Sequence, residues 1–251
     1  WDTGIAFGTV AGKRGDTTVE VTTYRTEQYD PESRKPEVEY GDSIHGDLSR
    51  RDFTVNSMAL ELTTDKPEFI DPFNGLQDLA ARILRTPVRA GDSFNDDPLR
   101  MMRAARFASQ LDFQIAPEVL TSMQDLAHRI SIISAERVRD EFIKIIMSPN
   151  PRIGITLLVD TGLADIVLPE IPKLRLEVDE HHHHKDVYEH SITVLEQAIE
   201  LEERLDGPNL VIRLAALLHD IGKPKTRAFT EGGGVSFHHH EVVGARLAKK
   251  R

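Results

Sequence analysis

The sequence predicts an α+β protein in which a small N-terminal sheet precedes a mainly helical body. Three observations carry that expectation. Residues 4–10 (GIAFGTV) and 18–24 (TVEVTTY) alternate and are rich in β-branched and aromatic side chains. From Leu99 onward apolar residues recur at helical spacing, and 209–221 (NLVIRLAALLHDI) is almost wholly apolar until it ends in His219-Asp220. A chain of 251 residues with 39% hydrophobic content can bury a sizeable core, divided between two or more domains. It contains no cysteine, which excludes disulfides and thiolate metal sites and fits a reducing, cytoplasmic setting. No apolar run is long enough to span a bilayer, so no membrane partner is expected. The formal net charge of -10 offers nucleic acid no general attraction, and any RNA must be held by a local basic patch. The chain opens on Trp1 and stops at Lys249-Lys250-Arg251 inside an apparent helix, so further segments are expected beyond both ends.

The two alternating stretches, with Gly12, Gly15 and Asp16 between them, read as a hairpin. On the second strand Glu20, Thr22 and Tyr24 share a face, which makes Glu20 either an exposed strand carboxylate or a metal ligand. From Gln28 to Asp47 the composition turns to Asp, Pro, Glu, Ser, Lys and Gly, a loop long enough to suggest a functional role. Leu48–Leu62 is expected to start as a helix capped by Asp47 or Ser49. Its Arg50, Arg51, Asp52 and Asn56 are too polar as a set for a core-facing surface. Asp71-Pro72-Phe73-Asn74-Gly75 signals a turn, followed by a short helix to Ala81 and a strand over Arg82–Thr86.

The stretch Phe94–Phe107 (FNDDPLRMMRAARF) begins as a helix should, with Asn and Asp to cap orphan amides and Pro98 in the first turn. Leu99, Met102, Ala105 and Phe107 are its inward face, and Arg100, Arg103 and Arg106 recur every three residues beside it. Asp97 and Arg100 are an N-cap with an i,i+3 ion pair on one reading, and a reader of a nucleotide base on the other. Amphipathic helices follow over 117–127 and 134–147, the second with Ser134 as cap and Val138, Phe142, Ile145 and Ile146 as its stripe. A helical pair then covers 152–168, with Gly162 between its members. Residues 186–205 form a long helix that carries His190 and buries Val187, Val194, Leu195, Ala198 and Leu201. His190 from this helix and His219-Asp220 from the end of the next suit an imidazole/carboxylate divalent-metal site, with His240 a further candidate. A histidine favoured by a helix C-terminal dipole is the plainer account of His219. The His181–His184 run reads as a loop with incidental metal affinity.

RRDFTVNSM at 50–58, DPFNG at 71–75, DDPLRMMRAARF at 96–107 and SAERVRDE at 134–141 occur in this order. Together they resemble the class II tRNA nucleotidyltransferases (CCA-adding enzymes) and their relatives, the bacterial poly(A) polymerases. The His190…His219-Asp220 segment resembles an HD domain, which tips the resemblance toward CCA addition. The resemblance implies a small palm-like nucleotidyltransferase sheet followed by a helical neck and body and a helical HD domain. It places the end of the nucleotidyltransferase head in 1–62, a nucleotide-recognition neck in 63–148, a body or linker in 149–178 and the HD domain in 179–251. It further implies attack of a tRNA 3′-hydroxyl on the α-phosphate of CTP or ATP, assisted by two Mg2+ ions. Glu20 would be one catalytic carboxylate. The family's Asp-x-Asp ligands are not found in the sequence and are expected before Trp1. Arg50, Arg51, Asp52 and Asn56 would handle ribose and triphosphate, Asp97 and Arg100 would read the base, and Arg103 would extend the basic stripe. Arg106 and the residues of SAERVRDE would brace the neck.

A carboxylate accepts from the amino group that adenine and cytosine both present, and a guanidinium donates to the ring nitrogen beside it; guanine and uracil reverse the pair. The family commonly has Glu-Asp where this chain has Asp96-Asp97, a difference that touches helix capping more than base reading. The alternatives are a poly(A) polymerase, an HD-domain phosphohydrolase acting on phosphomonoesters or cyclic phosphates through a second divalent metal, and a chain that only binds RNA or nucleotide.

Overall fold

The computed structural model describes residues 9–28, 37–40, 43–176, 186–229 and 234–251. They form two compact units, the first made of residues 1–100 with 114–122 and the second of 101–113 with 123–251.

In the first unit, β1 (Thr9–Arg14) and β2 (Thr17–Thr22) pair as the expected antiparallel hairpin, with Gly15 at φ +59° in the turn and Gly12 inside β1 opposite Val19. Residues 4–8 and the histidine run 181–184 lie outside the described residues. The expected loop from Gln28 to Asp47 is corrected. β3 (Arg25–Gln28) pairs with β4 (Glu37–Tyr40), and α1 (Ile44–Ser49) follows, capped by Ser43 rather than by Asp47 or Ser49. The helix expected to run on from Leu48 is also corrected: α1 stops at Arg50. Asp52 Oδ1 then accepts from the Phe53 amide, and Ser57 Oγ donates to the Phe53 carbonyl. Short polar side chains here compete for backbone groups and end the helix. Phe53, fully buried, anchors the resulting turn, and a short 3-10 helix covers Thr54–Asn56.

β5 (Ala59–Glu61) and β6 (Glu68–Ile70) make a second hairpin, and α2 (Gly75–Ala81) starts at the DPFNG turn. There the Asp71 carboxylate accepts from the amides of Gly75 (2.6 Å) and Leu76 (2.9 Å). A side chain at Gly75 would stand 2.2 Å from the Thr54 carbonyl, so only glycine lets α2 pack on the 54–58 turn. The strand expected over Arg82–Thr86 shortens to β7 (Ile83–Leu84), which pairs in parallel with β8 (Gln114–Ile115). Between them lie α3 (Ala90–Asp96) and α4 (Leu99–Leu111). Among the described residues the strands of this unit pair as two-stranded ladders, the small-sheet part of the expected α+β fold.

The second unit is helical. α4 buries Met101, Met102, Ala104, Ala105 and Ala108 completely. α5 (Pro117–Leu126), whose residues up to Ser122 belong to the first unit, leads through a 3-10 segment to α6 (Ala135–Ile146), α7 (Pro151–Asp160) and α8 (Leu163–Val167), with Gly162 at φ +79° before α8. Gly154 lets α7 pack tightly, since a Cβ there would sit 2.4 Å from Ser109 Oγ and 2.6 Å from Ile145. Glu141, buried on α6, takes Arg106 Nε at 2.7 Å and Lys144 Nζ at 2.9 Å, so Arg106 braces this unit as expected.

α9 (Val187–Glu200) packs on α10 (Leu210–Leu218), followed by α11 (Lys223–Thr226), the ladder of β9 (Ala228–Phe229) and β10 (Val235–Ser236), and α12 (His240–Ala248). Leu201, expected in the core, is 48% exposed. The almost wholly apolar α10 is not buried throughout: Val211 is 75% exposed, and the helix is fixed by buried Leu217 and buried Arg213. Arg213 pairs with both carboxylate oxygens of Glu202 (2.8 and 2.6 Å) and donates to the carbonyls of Ile146 and Ser148, each at 2.8 Å. An arginine within an apolar run therefore takes the core position that hydrophobicity alone assigns to its neighbours.

Candidate functional sites

Two clusters gather the chemistry-bearing residues, one in each unit. In the first, Asp47 is buried on α1 and draws two guanidinium groups to itself: Arg50 Nη2 at 2.7 Å on Oδ1 and Arg51 Nη2 at 3.2 Å on Oδ2. Arg51 also donates to the Asn56 carbonyl at 3.3 Å. Asp52 is buried, and its Oδ1 accepts from Asn56 Nδ2 at 3.0 Å, so these two residues meet although no helix joins them. Asp97 closes α3 and opens α4: its amide donates to the Ser93 carbonyl (3.2 Å), and its Oδ1 accepts from the Leu99 amide (3.1 Å). The capping expected of this acid is therefore present, displaced onto the junction of two helices.

Arg100 is 8% exposed rather than lying on an open stripe. Its Nη1 donates to Ser93 Oγ at 2.8 Å, and Nη2 donates to the main-chain carbonyl of Arg50. The structure thus brings Arg50, Arg51, Asp52, Asn56, Asp97 and Arg100 together within the first unit. Arg103 belongs to the second unit, where its guanidinium lies 5.6 Å from the centroid of Phe107. Glu20 is exposed on β2 opposite Ala11. Among the described residues Glu20 belongs to no group of three or more His, Asp or Glu side chains placed to hold a metal ion.

In the second unit, His190 on α9, His219 at the end of α10 and Asp220 bring one ligand atom each to within 4.8 Å of one another. Asp220 is buried. Its Oδ2 lies 3.1 Å from His219 Nε2, 3.9 Å from His190 Nε2 and 2.9 Å from Lys223 Nζ, while its Oδ1 lies 3.5 Å from His240 Nε2. Burial pushes the Asp220 carboxyl upward, but hydrogen bonds from His219 and Lys223 outweigh it and hold the group at about 2. The same hydrogen bond to Asp220 raises His219 against the opposing effect of its own burial. Nδ1 of His219 lies 2.8 Å from the Ala216 carbonyl and Nδ1 of His240 lies 2.9 Å from that of Phe237. Both rings are thereby oriented with Nε2 toward Asp220, which is how backbone carbonyls prepare imidazoles for a metal. Imidazole nitrogens converging on a buried carboxylate fit a divalent transition ion. Gly222 makes the approach of α12 possible, since a Cβ there would stand 2.0 Å from the His240 carbonyl.

Three contributors escape a reading of the residues alone. Asp47 could have been found, because it sits three and four positions before Arg50 and Arg51 on a helix. Lys223 stands out in the Gly-Lys-Pro exit, but nothing local says that its ammonium turns back to Asp220. Ser93 carries no local signal, being seven residues from Arg100 on a different helix.

Comparison with known proteins matches three successive stretches of the chain to family domains. The poly A polymerase head domain matches residues 1–85, the probable RNA and SrmB-binding site of polymerase A matches 112–174, and the HD domain matches 187–251. The A-adding tRNA nucleotidyltransferase of Deinococcus radiodurans is 39% identical over 211 residues, which cover 82% of this chain and 47% of that protein. This chain belongs to the tRNA nucleotidyltransferase and poly(A) polymerase family, with an HD domain. The Multifunctional CCA protein of Hahella chejuensis, another relative, is 39% identical over 214 residues, covering 82% of this chain and 47% of its own. The chain spans about half the length of these curated relatives. The crystal structure of the Bacillus stearothermophilus CCA-adding enzyme in complex with CTP aligns with 99% of this chain and 67% of its own. The TM-score is 0.60 at 24% identity, a likeness of fold. Family and HD domain together imply use of divalent metal. No helix among the described residues is long and apolar enough to cross a membrane.

Proposed function

We propose that the protein adds CCA to the 3′ end of tRNA, using CTP and ATP without a nucleic-acid template. One observation carries the reading: Arg100, beside Asp97, is tied directly to the carbonyl of Arg50, so the base-facing and phosphate-facing segments form one piece. In the transfer, the tRNA 3′-oxygen bonds to the α-phosphorus, the bond to the β-phosphate oxygen breaks and pyrophosphate leaves. Asp97 accepts from the exocyclic amino group of adenine or cytosine and Arg100 donates to the adjacent ring nitrogen. Arg50 and Arg51, held by Asp47, face the triphosphate, and Asp52 with Asn56 faces the ribose. Arg103 extends the basic stripe. Glu20 would be one ligand to Mg2+, which would supply Lewis-acid chemistry at the 3′-hydroxyl and at the departing pyrophosphate.

In this account 1–62 closes the nucleotidyltransferase head, 63–148 is the recognition neck, 149–178 the body and 179–251 the HD domain, in a cytoplasmic protein. The test is to incubate the whole protein with tRNA lacking its 3′ CCA, with CTP, ATP and Mg2+. Addition of C, C and A is expected. A long A-tail supports a poly(A) polymerase instead, and addition of A alone, to tRNA already ending in CC, supports an A-adding enzyme like the Deinococcus relative.

A second activity is favoured by the His190, His219 and Asp220 cluster, with His240 beside it. These residues would hold a divalent ion, which would supply the Lewis acid for hydrolysis of a phosphomonoester or cyclic phosphate. Nickel-, manganese- or magnesium-dependent cleavage, lost in His219→Ala and kept in Arg100→Ala, tests it.

A further inference from the structure

We propose that Ser93 is a positioning residue for nucleotide selection, acting by orienting Arg100. The inference rests on the reading of Asp97 and Arg100 as the pair that faces the base. Ser93 has no exposed surface. Its hydroxyl accepts from Arg100 Nη1 at 2.8 Å, and its carbonyl accepts from the Asp97 amide at 3.2 Å, with Arg100 Nη1 also 3.5 Å from that oxygen. One residue on α3 therefore touches both members of the pair on either side of the α3–α4 junction.

The geometry gives this contact a directional role. A guanidinium is a planar fork of five N–H donors, and its reading of a base depends on the tilt of that plane. The described contacts fix the plane at two points: Nη1 on Ser93 and Nη2 on the Arg50 carbonyl. The Arg50 contact is to main chain and survives any side-chain substitution there. The Ser93 contact is to a hydroxyl and can be removed alone. Without it Nη1 keeps only the long 3.5 Å contact to the Ser93 carbonyl, the fork is free to tilt about the Arg50 carbonyl, and its remaining donors no longer meet a ring acceptor at a fixed angle. Hydrogen bonds weaken steeply as they bend, so the correct nucleotides lose more than the incorrect ones, which never made the bond.

A second consequence concerns where the cost appears. Ser93 has no expected contact with nucleotide, so its loss leaves the triphosphate-facing Arg50 and Arg51 in place on Asp47. KM for CTP should change little while kcat/KM discrimination between CTP and UTP falls. A role confined to folding lowers the amount of active protein and leaves that ratio unchanged, because the ratio is independent of the active fraction.

The experiment compares Ser93→Ala, Ser93→Cys and Arg100→Ala in the whole protein, measuring kcat/KM for CTP, ATP, UTP and GTP on tRNA lacking CCA. Loss of a hydrogen bond to a charged group predicts a fall of about tenfold in CTP-over-UTP selectivity for Ser93→Ala. Ser93→Cys, nearly isosteric and a weaker acceptor, should lie between it and the wild type. Wild-type selectivity in both Ser93→Ala and Ser93→Cys, with selectivity lost in Arg100→Ala, overturns the role of Ser93 and leaves the base-reading pair standing. Wild-type selectivity in Arg100→Ala overturns the pair and the inference with it.

Discussion

Replacing Arg213 by Met removes the polar bolt that holds α10 while keeping its apolar stem. Arg213 is 3% exposed and Glu202 6% exposed. The substitution deletes two bonds to Glu202 and two to the carbonyls of Ile146 and Ser148. Those carbonyls lie at the end of α6, where helical partners run out and Pro149 supplies no amide. Glu202 retains one bond, from the Asn209 amide at 2.9 Å. Breaking a buried ion pair from one side costs about 3–5 kcal/mol. For a chain of this size that corresponds to a fall of roughly 6–20 °C in Tm. Urea denaturation followed by far-ultraviolet circular dichroism measures it. The double variant Arg213→Met/Glu202→Leu should recover much of the loss, because no charge is then stranded. A single-variant loss below about 1 kcal/mol, the range of exposed pairs, refutes the argument that this contact is desolvated.

The same pair sets a pH dependence. Hydrogen bonds from Arg213, opposed by burial, hold the Glu202 carboxyl below its usual range. Its contribution is therefore complete above the unfolded value near ~4.3 and is lost as pH falls through the lower folded value. Acid titration of stability should show a shallower decline below pH ~4.3 in Arg213→Met than in wild type. At the candidate metal cluster, Asp220→Asn and His219→Ala should each abolish nickel or manganese binding by calorimetry and leave nucleotide incorporation intact, since neither residue is assigned to nucleotide. Gly75→Ala should lower nucleotide incorporation and stability together, because its Cβ would lie 2.2 Å from the Thr54 carbonyl beside Asp52 and Asn56. Limited proteolysis within 54–58 reads the same disturbance.

The sequence carried the helices where propensity, caps and burial agree. Ser134, Asn209 and Asp186 stand immediately before α6, α10 and α9, and Gly162 separates α7 from α8 as the spacing predicts. It misled where side chains redirect the backbone. Arg50–Met58 carries helical spacing, yet Asp52, Asn56 and Ser57 bond locally and turn it into an extended link with a single 3-10 turn. The pairing of β3 with β4 was hidden because Glu37–Tyr40 sits among Pro, Lys and Gly with no alternation long enough to read. At the sites, residue types were legible and partners were not. His190, His219 and Asp220 meet as expected, whereas the burial of Arg100 depends on Ser93 and the Arg50 carbonyl, fifty residues apart from it in the latter case. Contacts made across such separations leave no periodic trace in a single sequence.

The most direct test of template-free base reading removes one atom from the nucleotide. Replacing cytosine N3 by carbon, in 3-deaza-CTP, deletes the acceptor assigned to Arg100 and keeps the amino group assigned to Asp97. The wild-type protein should use 3-deaza-CTP with kcat/KM lower than for CTP by roughly 10- to 150-fold, the value of a hydrogen bond from a charged donor. Arg100→Ala should use the two nucleotides nearly equally. An equal penalty in both proteins, or none in the wild type, contradicts the assignment of Arg100 as the donor that selects C and A.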